Sequence, residues 1–531
     1  MTLTEAPPEQ AGTEPPAPAA PPASTILTSA DHKTVGRLYI AAALLFLLAA
    51  GVVGMIMRVE LAEPGVKIVG SNYARLFSLH STVAPMLFLA PFWTGLATVV
   101  VPLQLGAPGL AFPRLQSTSL WLYVVGGGLV FAGYIVNAPH GAGLVLSSPI
   151  SGKGNHATDL WIMGLLLVAV ASVIAAGNLL TTIVKLRAPG MTLQRVPLFA
   201  WSVFATSAIV LLATPVFIAG LFLLYLDQHF GGVFFAATTK GSAEVWQHSL
   251  WLYGRPEIYL LALPGLGAAC DIVATAGRGP LPGRGAARAA LVLFAFLSLG
   301  AWAADAPARA AVVVPTTTWF TGLVIVPVGI LALLWLGAGR GFKRFHLPLL
   351  HVAGAIVLVA VAVLNVIVAA AKDVDGGTAW AVGHLHVAFL GAPLLLAIGA
   401  AHHWAPKLVG RRLSQGLGAL ELLLVLLGTL IMGGASYVLG YDGAPWHVAN
   451  VVGKTSWTNL ERAAAAGGGL VSLGVVLFVL NLLVGGRGKP VDDNPYGGIT
   501  LEWATSSPPP PHNFDTVPVV RSEAPLAEAT A

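Results

Sequence analysis

Apolar runs long enough to cross the hydrocarbon core of a bilayer follow one another along this chain, separated by short polar loops. A spanning helix needs about 20 mostly apolar residues, and it satisfies every backbone amide internally, which the core of a bilayer demands. The runs fall at 38–57, 77–103, 119–138, 159–184, 199–225, 245–276, 287–304, 311–337, 349–371, 379–407, 417–440 and 463–485. They predict an all-α integral membrane protein, a bundle of about twelve transmembrane helices. Composition agrees: 56% of residues are hydrophobic and 10% charged, and the mean hydropathy is +0.79. That is more apolar surface than a soluble domain buries.

Basic residues set the orientation. Lys185, Arg187 and Arg195 share one side of the membrane with Arg340, Lys343 and Arg344. The excess on that side predicts a multi-pass plasma-membrane protein with both termini in the cytoplasm. The net charge of +5 is then a topology signal, and nucleic acid is excluded as a partner. Residues 1–30, rich in Pro and Ala, lack the basic and apolar regions of a signal peptide and read as a disordered cytoplasmic tail. Residues 31–490 form the membrane domain, and 491–531 an extended cytoplasmic C-terminal tail. Cys270 is the single cysteine, so no internal disulfide forms.

Ionisable residues inside spans are costly and usually face the bundle interior, so they are the first functional candidates. Counting helices from the N-terminus puts His80, Arg255, Glu257, Tyr259, His384 and His386 in one layer in the outer part of the membrane, with Asp305 at the same level. His384 and His386 are two positions apart, so on a helix their rings point to different sides, about 200° apart. His80 paired with one of them would make a six-coordinate, low-spin haem that only passes electrons; the other would hold a five-coordinate haem open to a small ligand. The competing reading is that these are hydrogen-bonded packing histidines. His402 and His403, at the far end of the same run, read as ordinary interfacial polar residues.

The motifs MRVELAEPG, VPLQLGAPGLAFPRL, TTIVKLRAPGMTLQRVPLFAWSV, WQHSLWLYGRPEIYLLALPGLG, GHLHV and LEWATSSPPPPHNF resemble subunit I of the haem-copper oxidases, the cytochrome c oxidase group. The resemblance covers nearly the whole chain after the N-terminal tail. It implies two haems, with His80 and His386 ligating the low-spin one and His384 the high-spin one. It further implies that Arg58 contacts a substituent of the low-spin haem, against the plainer reading of an interfacial Arg that snorkels to the headgroups. Tyr259 matches the tyrosine of the oxygen-reducing centre and Glu257 the glutamate that hands on protons; both are candidate catalytic residues. Other oxidase subunits are implied partners, with cytochrome c or a copper-bearing subunit II as electron donor.

Several positions depart from the family pattern. The copper ligand in the family's GHPEVY is Arg255 in GRPEIY, and the two adjacent histidines of its WAHH are Ala303 and Ala304 in WAADAP. Alanine has no donor atom, and a guanidinium stays protonated and offers no lone pair. The chain is therefore expected to lack copper. Leu331 stands where a proton-path lysine is expected, and Gly109 where a proton-path aspartate is. Gly376 and Gly377 replace a His-Asp pair, and Trp446 and His447 replace two propionate arginines. Arg255 needs a counter-charge at such depth, for which Asp305 is the first candidate and Glu257 the second. His248, in the WQH stretch, has no assigned role.

Three functions compete. The first is a haem protein of an aerobic respiratory chain that carries electrons or binds gas without efficient proton-pumping oxygen reduction. The second is a working terminal oxidase subunit, and the third a non-catalytic, regulatory partner of a true subunit I. A nitric oxide reductase-type iron site is disfavoured, because Ala303 and Ala304 remove two of its ligands.

Overall fold

The computed structural model describes residues 27–63, 68–136, 156–231, 234–235, 241, 261–301, 322–342, 345–374, 377–446, 455–487 and 491–528. The N-terminal tail up to residue 26 lies outside them. Among the described residues every regular element is a helix and no strand forms. The helices are α1 (His32–Ala62), α2 (Tyr73–Leu105), α3 (Pro113–Val136), α4 (His156–Lys185), α5 (Leu198–Phe230), α6 (Leu261–Gly277), α7 (Arg284–Ala301), α8 (Ile325–Ala338), α9 (Leu347–Ala371), α10 (Ala379–Val409), α11 (Gln415–Tyr441) and α12 (Thr455–Val484). Nine of these are long and apolar enough to cross a membrane; α6, α7 and α8 are shorter and border residues that are not described.

Several helices overrun the apolar stretches, and polar side chains cap some of their starts. Asp31 caps α1, its carboxylate accepting from the amides of Lys33 and Thr34 at 3.4 and 3.3 Å. Ser414 accepts from Leu417 N at the start of α11. At their far ends α2 and α10 stop on Gly106 and Gly410, each at φ +67°, a left-handed conformation that ends a helix without strain only at glycine.

Helices adjacent in sequence pack together from α1 to α2, from α3 through α5 and from α9 through α12, and α12 returns to α1. Small residues allow this closeness. A Cβ on Gly126 of α3 would stand 2.7 Å from the carbonyl oxygen of Gly164 on α4, so the two backbones are in direct contact. The C-terminal segment folds back over one end of the bundle, opposite the layer of His80 and His386. There Lys407 Nζ donates to the carbonyls of Asp493, Thr505 and Ser506 and to Ser507 Oγ.

α2 and α10 each contain a π-helical stretch, Val83–Leu89 and Leu385–Gly391. Each ends with an i−5 bond, Ala90 N to Pro85 O and Ala392 N to Val387 O. Each is followed at once by an Ala-Pro pair, at Pro91 and Pro393. Proline cannot donate to the carbonyl four residues back and its ring crowds that carbonyl, so the preceding turn widens. For Pro91 that carbonyl is Leu87 O, and it accepts instead from Tyr123 Oη at 2.6 Å.

Candidate haem-binding site

His80 of α2 and His386 of α10 are brought opposite one another. Their ring centroids are 6.1 Å apart and their planes differ by 17°. His80 Nδ1 lies 3.1 Å from the Ala50 carbonyl oxygen of α1, and His386 Nδ1 lies 2.8 Å from Val382 O. A carbonyl only accepts, so each Nδ1 carries the proton and each neutral ring keeps its lone pair on Nε2. Tying Nδ1–H to a backbone carbonyl is how metal-binding imidazoles are held in orientation. Two metal–nitrogen bonds of about 2 Å each, together with the inner halves of two rings, add up to about 6 Å. The observed spacing fits one metal ion held between the rings.

The pocket is shaped for His80. A Cβ on Gly54 of α1 would stand 2.9 Å from His80 Cε1, so the ring occupies the space that any side chain at position 54 would take. Arg58, one helical turn further along α1, does not snorkel outward. Its Nη1 pairs with Glu461 Oε2 of α12 at 3.4 Å, and the two side chains are 11% and 17% exposed. Glu461 was not a sequence candidate, since it precedes the apolar run read as the last helix, and nothing local in NLERAAAAGGG points to a partner across the bundle.

His384 has different neighbours from His386, as their spacing predicts. Its ring stacks on Trp380 at 5.0 Å with 8° between planes and meets the edge of Phe389 at 5.5 Å. Its Nδ1 is 3.5 Å from Tyr437 Oη of α11. Thus α10 turns one imidazole toward α1 and α2 and the other toward α11, although the segment is π-helical where a regular α-helix was assumed.

Other sequence candidates separate into those placed and those not. Leu331 is fully buried, and a Cβ on Gly109 would lie 3.9 Å from His32 Cδ2. Trp446 N donates to Gly377 O at 3.3 Å and its ring meets the edge of Phe77 at 5.6 Å. Arg255, Glu257, Tyr259, His248, Ala303, Ala304, Asp305, Gly376 and His447 lie outside the described residues.

The reading of His402 and His403 is corrected. Both are completely buried, because the C-terminal segment roofs this end of α10. Tyr496 Oη donates to His402 O at 3.2 Å, and the Trp503 and Tyr496 rings lie 5.2 and 5.6 Å from that of His403.

With the geometry in view, the comparisons with known proteins are decisive. The family described as "Cytochrome C and Quinol oxidase polypeptide I" matches residues 34–470. This chain belongs to that family. A relative from Streptomyces coelicolor, "Putative cytochrome c oxidase subunit 1-beta", is 36% identical over 94% of this chain and 89% of its own length. "Cytochrome c oxidase subunit 1" of Corynebacterium efficiens is 33% identical over 95% and 89%. Among solved structures, a "heme-copper terminal oxidase dimer" superposes with a TM-score of 0.75 at 18% identity, covering 87% of this chain and 85% of that one. The fold is therefore that of a haem-copper oxidase subunit I, and the chain is a cytochrome c oxidase subunit 1-like membrane protein.

Proposed function

We propose that this oxidase-family chain is a haem-bearing electron carrier of an aerobic respiratory complex, with its copper site lost. The observation that carries the reading is the His80–His386 pair: parallel rings, a spacing that fits one metal ion, and both Nδ1 protons committed to backbone carbonyls. A haem held by two imidazoles supplies one-electron transfer at a six-coordinate iron with no open position.

The chain's own residues do the rest. Ala50 O and Val382 O fix the ring orientations, Gly54 leaves room for His80, and Arg58 with Glu461 places a compensated positive charge near the pair. His384, seated on Trp380 and Tyr437, is assigned to the second haem and to small-ligand binding. Copper is assigned as absent because Arg255, Ala303 and Ala304 offer no ligand atom. Arg255 is paired with Asp305 or Glu257 in this reading; a separation beyond about 5 Å from both carboxylates would remove it. The same reading places the protein in the plasma membrane with both termini in the cytoplasm, beside other oxidase subunits and fed by cytochrome c or a copper-bearing subunit II.

A second reading, a working terminal oxidase subunit, is favoured by near full-length similarity to relatives named as cytochrome c oxidase subunit 1. In it Tyr259 and Glu257 keep their family roles. Haem and copper content of the purified protein, with reduced and carbon monoxide difference spectra, separates the two. Two haems, no copper and a carbon monoxide shift are expected; stoichiometric copper overturns the proposal in favour of the second reading. Absence of haem turns it toward a non-catalytic partner.

A further inference from the structure

At the opposite end of α10 a second group of donor atoms converges from three helices: His351 of α9, His402 of α10 and Glu421 of α11. A helix rises about 1.5 Å per residue, so the stretch from His386 to His402 carries this group about 24 Å from the His80–His386 pair. One ring nitrogen from each histidine and a carboxylate oxygen of Glu421 lie within 4.8 Å of one another, and all three residues are fully buried.

Proton placement leaves donor atoms unused. His351 Nδ1 lies 3.0 Å from the Leu347 carbonyl oxygen, so it carries the proton and Nε2 holds the lone pair. That Nε2 is buried with no hydrogen-bond partner. His402 Nε2 stands 2.9 Å from Glu421 Oε2, while its Nδ1 is also buried without a partner. Asn481 Nδ2 of α12 donates to Glu421 Oε1 at 2.7 Å, fixing the carboxylate as outer-shell groups fix metal ligands. Two glycines make the space: a Cβ on Gly418 would lie 2.5 Å from His402 Cε1, and one on Gly399 would lie 2.8 Å from His351 Cβ. A buried nitrogen without a partner is costly, and a cation bound at His351 Nε2 would satisfy it.

We propose that His351, His402 and Glu421 form a divalent metal site of the zinc type, separate from any haem. Two imidazoles and one carboxylate are a known zinc donor set, three protein ligands with a fourth position left open. Donors around a tetrahedral ion stand about 3.3 Å apart, so the three side chains close on it with small rotamer adjustments. The arrangement without metal is the His402–Glu421 contact alone, and it leaves His351 Nε2 unsatisfied.

The test uses the full-length detergent-purified protein, stripped with chelator, exposed to Zn2+ or Co2+ alone and desalted. One equivalent of metal per chain, visible d–d bands of four-coordinate Co2+, and a higher Tm with Zn2+ are expected. His351→Phe and Glu421→Gln should each weaken binding at least 10-fold while keeping helical circular dichroism and monodisperse elution. The proposal is overturned if the wild type takes up no metal, or if uptake is unchanged in His351→Phe. Should Glu421→Gln fail to fold, His351→Phe alone decides, because it leaves the His402–Glu421 contact in place.

Discussion

Arg58 Nη1 stands 3.4 Å from Glu461 Oε2, joining the C-terminal end of α1 to the first turns of α12. Both side chains are largely shielded from solvent, so neither charge is easily left alone. Glu461→Gln should lower stability by about 3 kcal/mol, the cost of leaving a mostly buried guanidinium uncompensated. The double variant Arg58→Met with Glu461→Leu should recover most of that loss. Thermal melts of the three proteins in one detergent check it; equal melting of wild type and Glu461→Gln would show that the pair contributes nothing.

Gly54 tests the seating of His80. Gly54→Val places branched carbon where the imidazole stands and should reduce low-spin haem occupancy by more than half, read from the haem-to-protein ratio and the low-spin electron paramagnetic resonance signal. Gly51→Val, whose Cβ would come no closer than 3.8 Å to Ser472 Oγ, is the control and should leave both readings alone.

The two imidazoles of α10 should separate cleanly by spectroscopy. His386→Leu is expected to abolish the low-spin signal and to keep a carbon monoxide shift. His384→Leu is expected to do the reverse. Loss of both signals in both variants would mean that the rings do not serve separate haems.

His346 precedes α9 and accepts from Leu349 N as its cap. Burial, and then the nearby charge of Arg412, push its imidazole down from the ordinary 6.5 to about 4. The unfolded chain therefore binds a proton between these values that the folded chain refuses. Stability from this group is complete above pH 6.5 and falls as the pH drops toward 4. His346→Asn keeps a capping side chain and should flatten that part of the stability profile, measured by denaturation at several pH values.

Lys407 holds the C-terminal segment through four donor contacts. Lys407→Met should leave those acceptors unpartnered and make residues 491–528 at least 10-fold more sensitive to limited proteolysis, while the membrane core resists. Unchanged cleavage would assign the anchoring to the buried Glu502 instead, whose carboxylate accepts from Gln104 and Trp404.

The all-helical membrane fold and the common layer of His80 and His386 were readable from apolar run length and from counting crossings, and the pairing of these two rings from the resemblance to the family. What escaped the sequence depends on contacts between residues far apart in it. Glu461 is an unremarkable acid until α12 meets α1. His402 and His403 looked interfacial because they lie near the end of the run 379–407, whereas the roof over them comes from Tyr496 and Trp503, almost a hundred residues later. The π-helical stretches had a local signal, Pro91 and Pro393, but a proline alone does not distinguish a widened turn from a kink.

The roof has one more consequence. His32 Nε2 and Lys33 Nζ, at the start of α1, both reach Asn513 Oδ1, at 3.0 and 3.3 Å. The first membrane helix and the C-terminal segment thus share one hydrogen-bonded knot. A probe fused ahead of residue 27 and one fused after residue 528 would start from the same face of the protein, and anything that loosens one end is bound to be felt by the other.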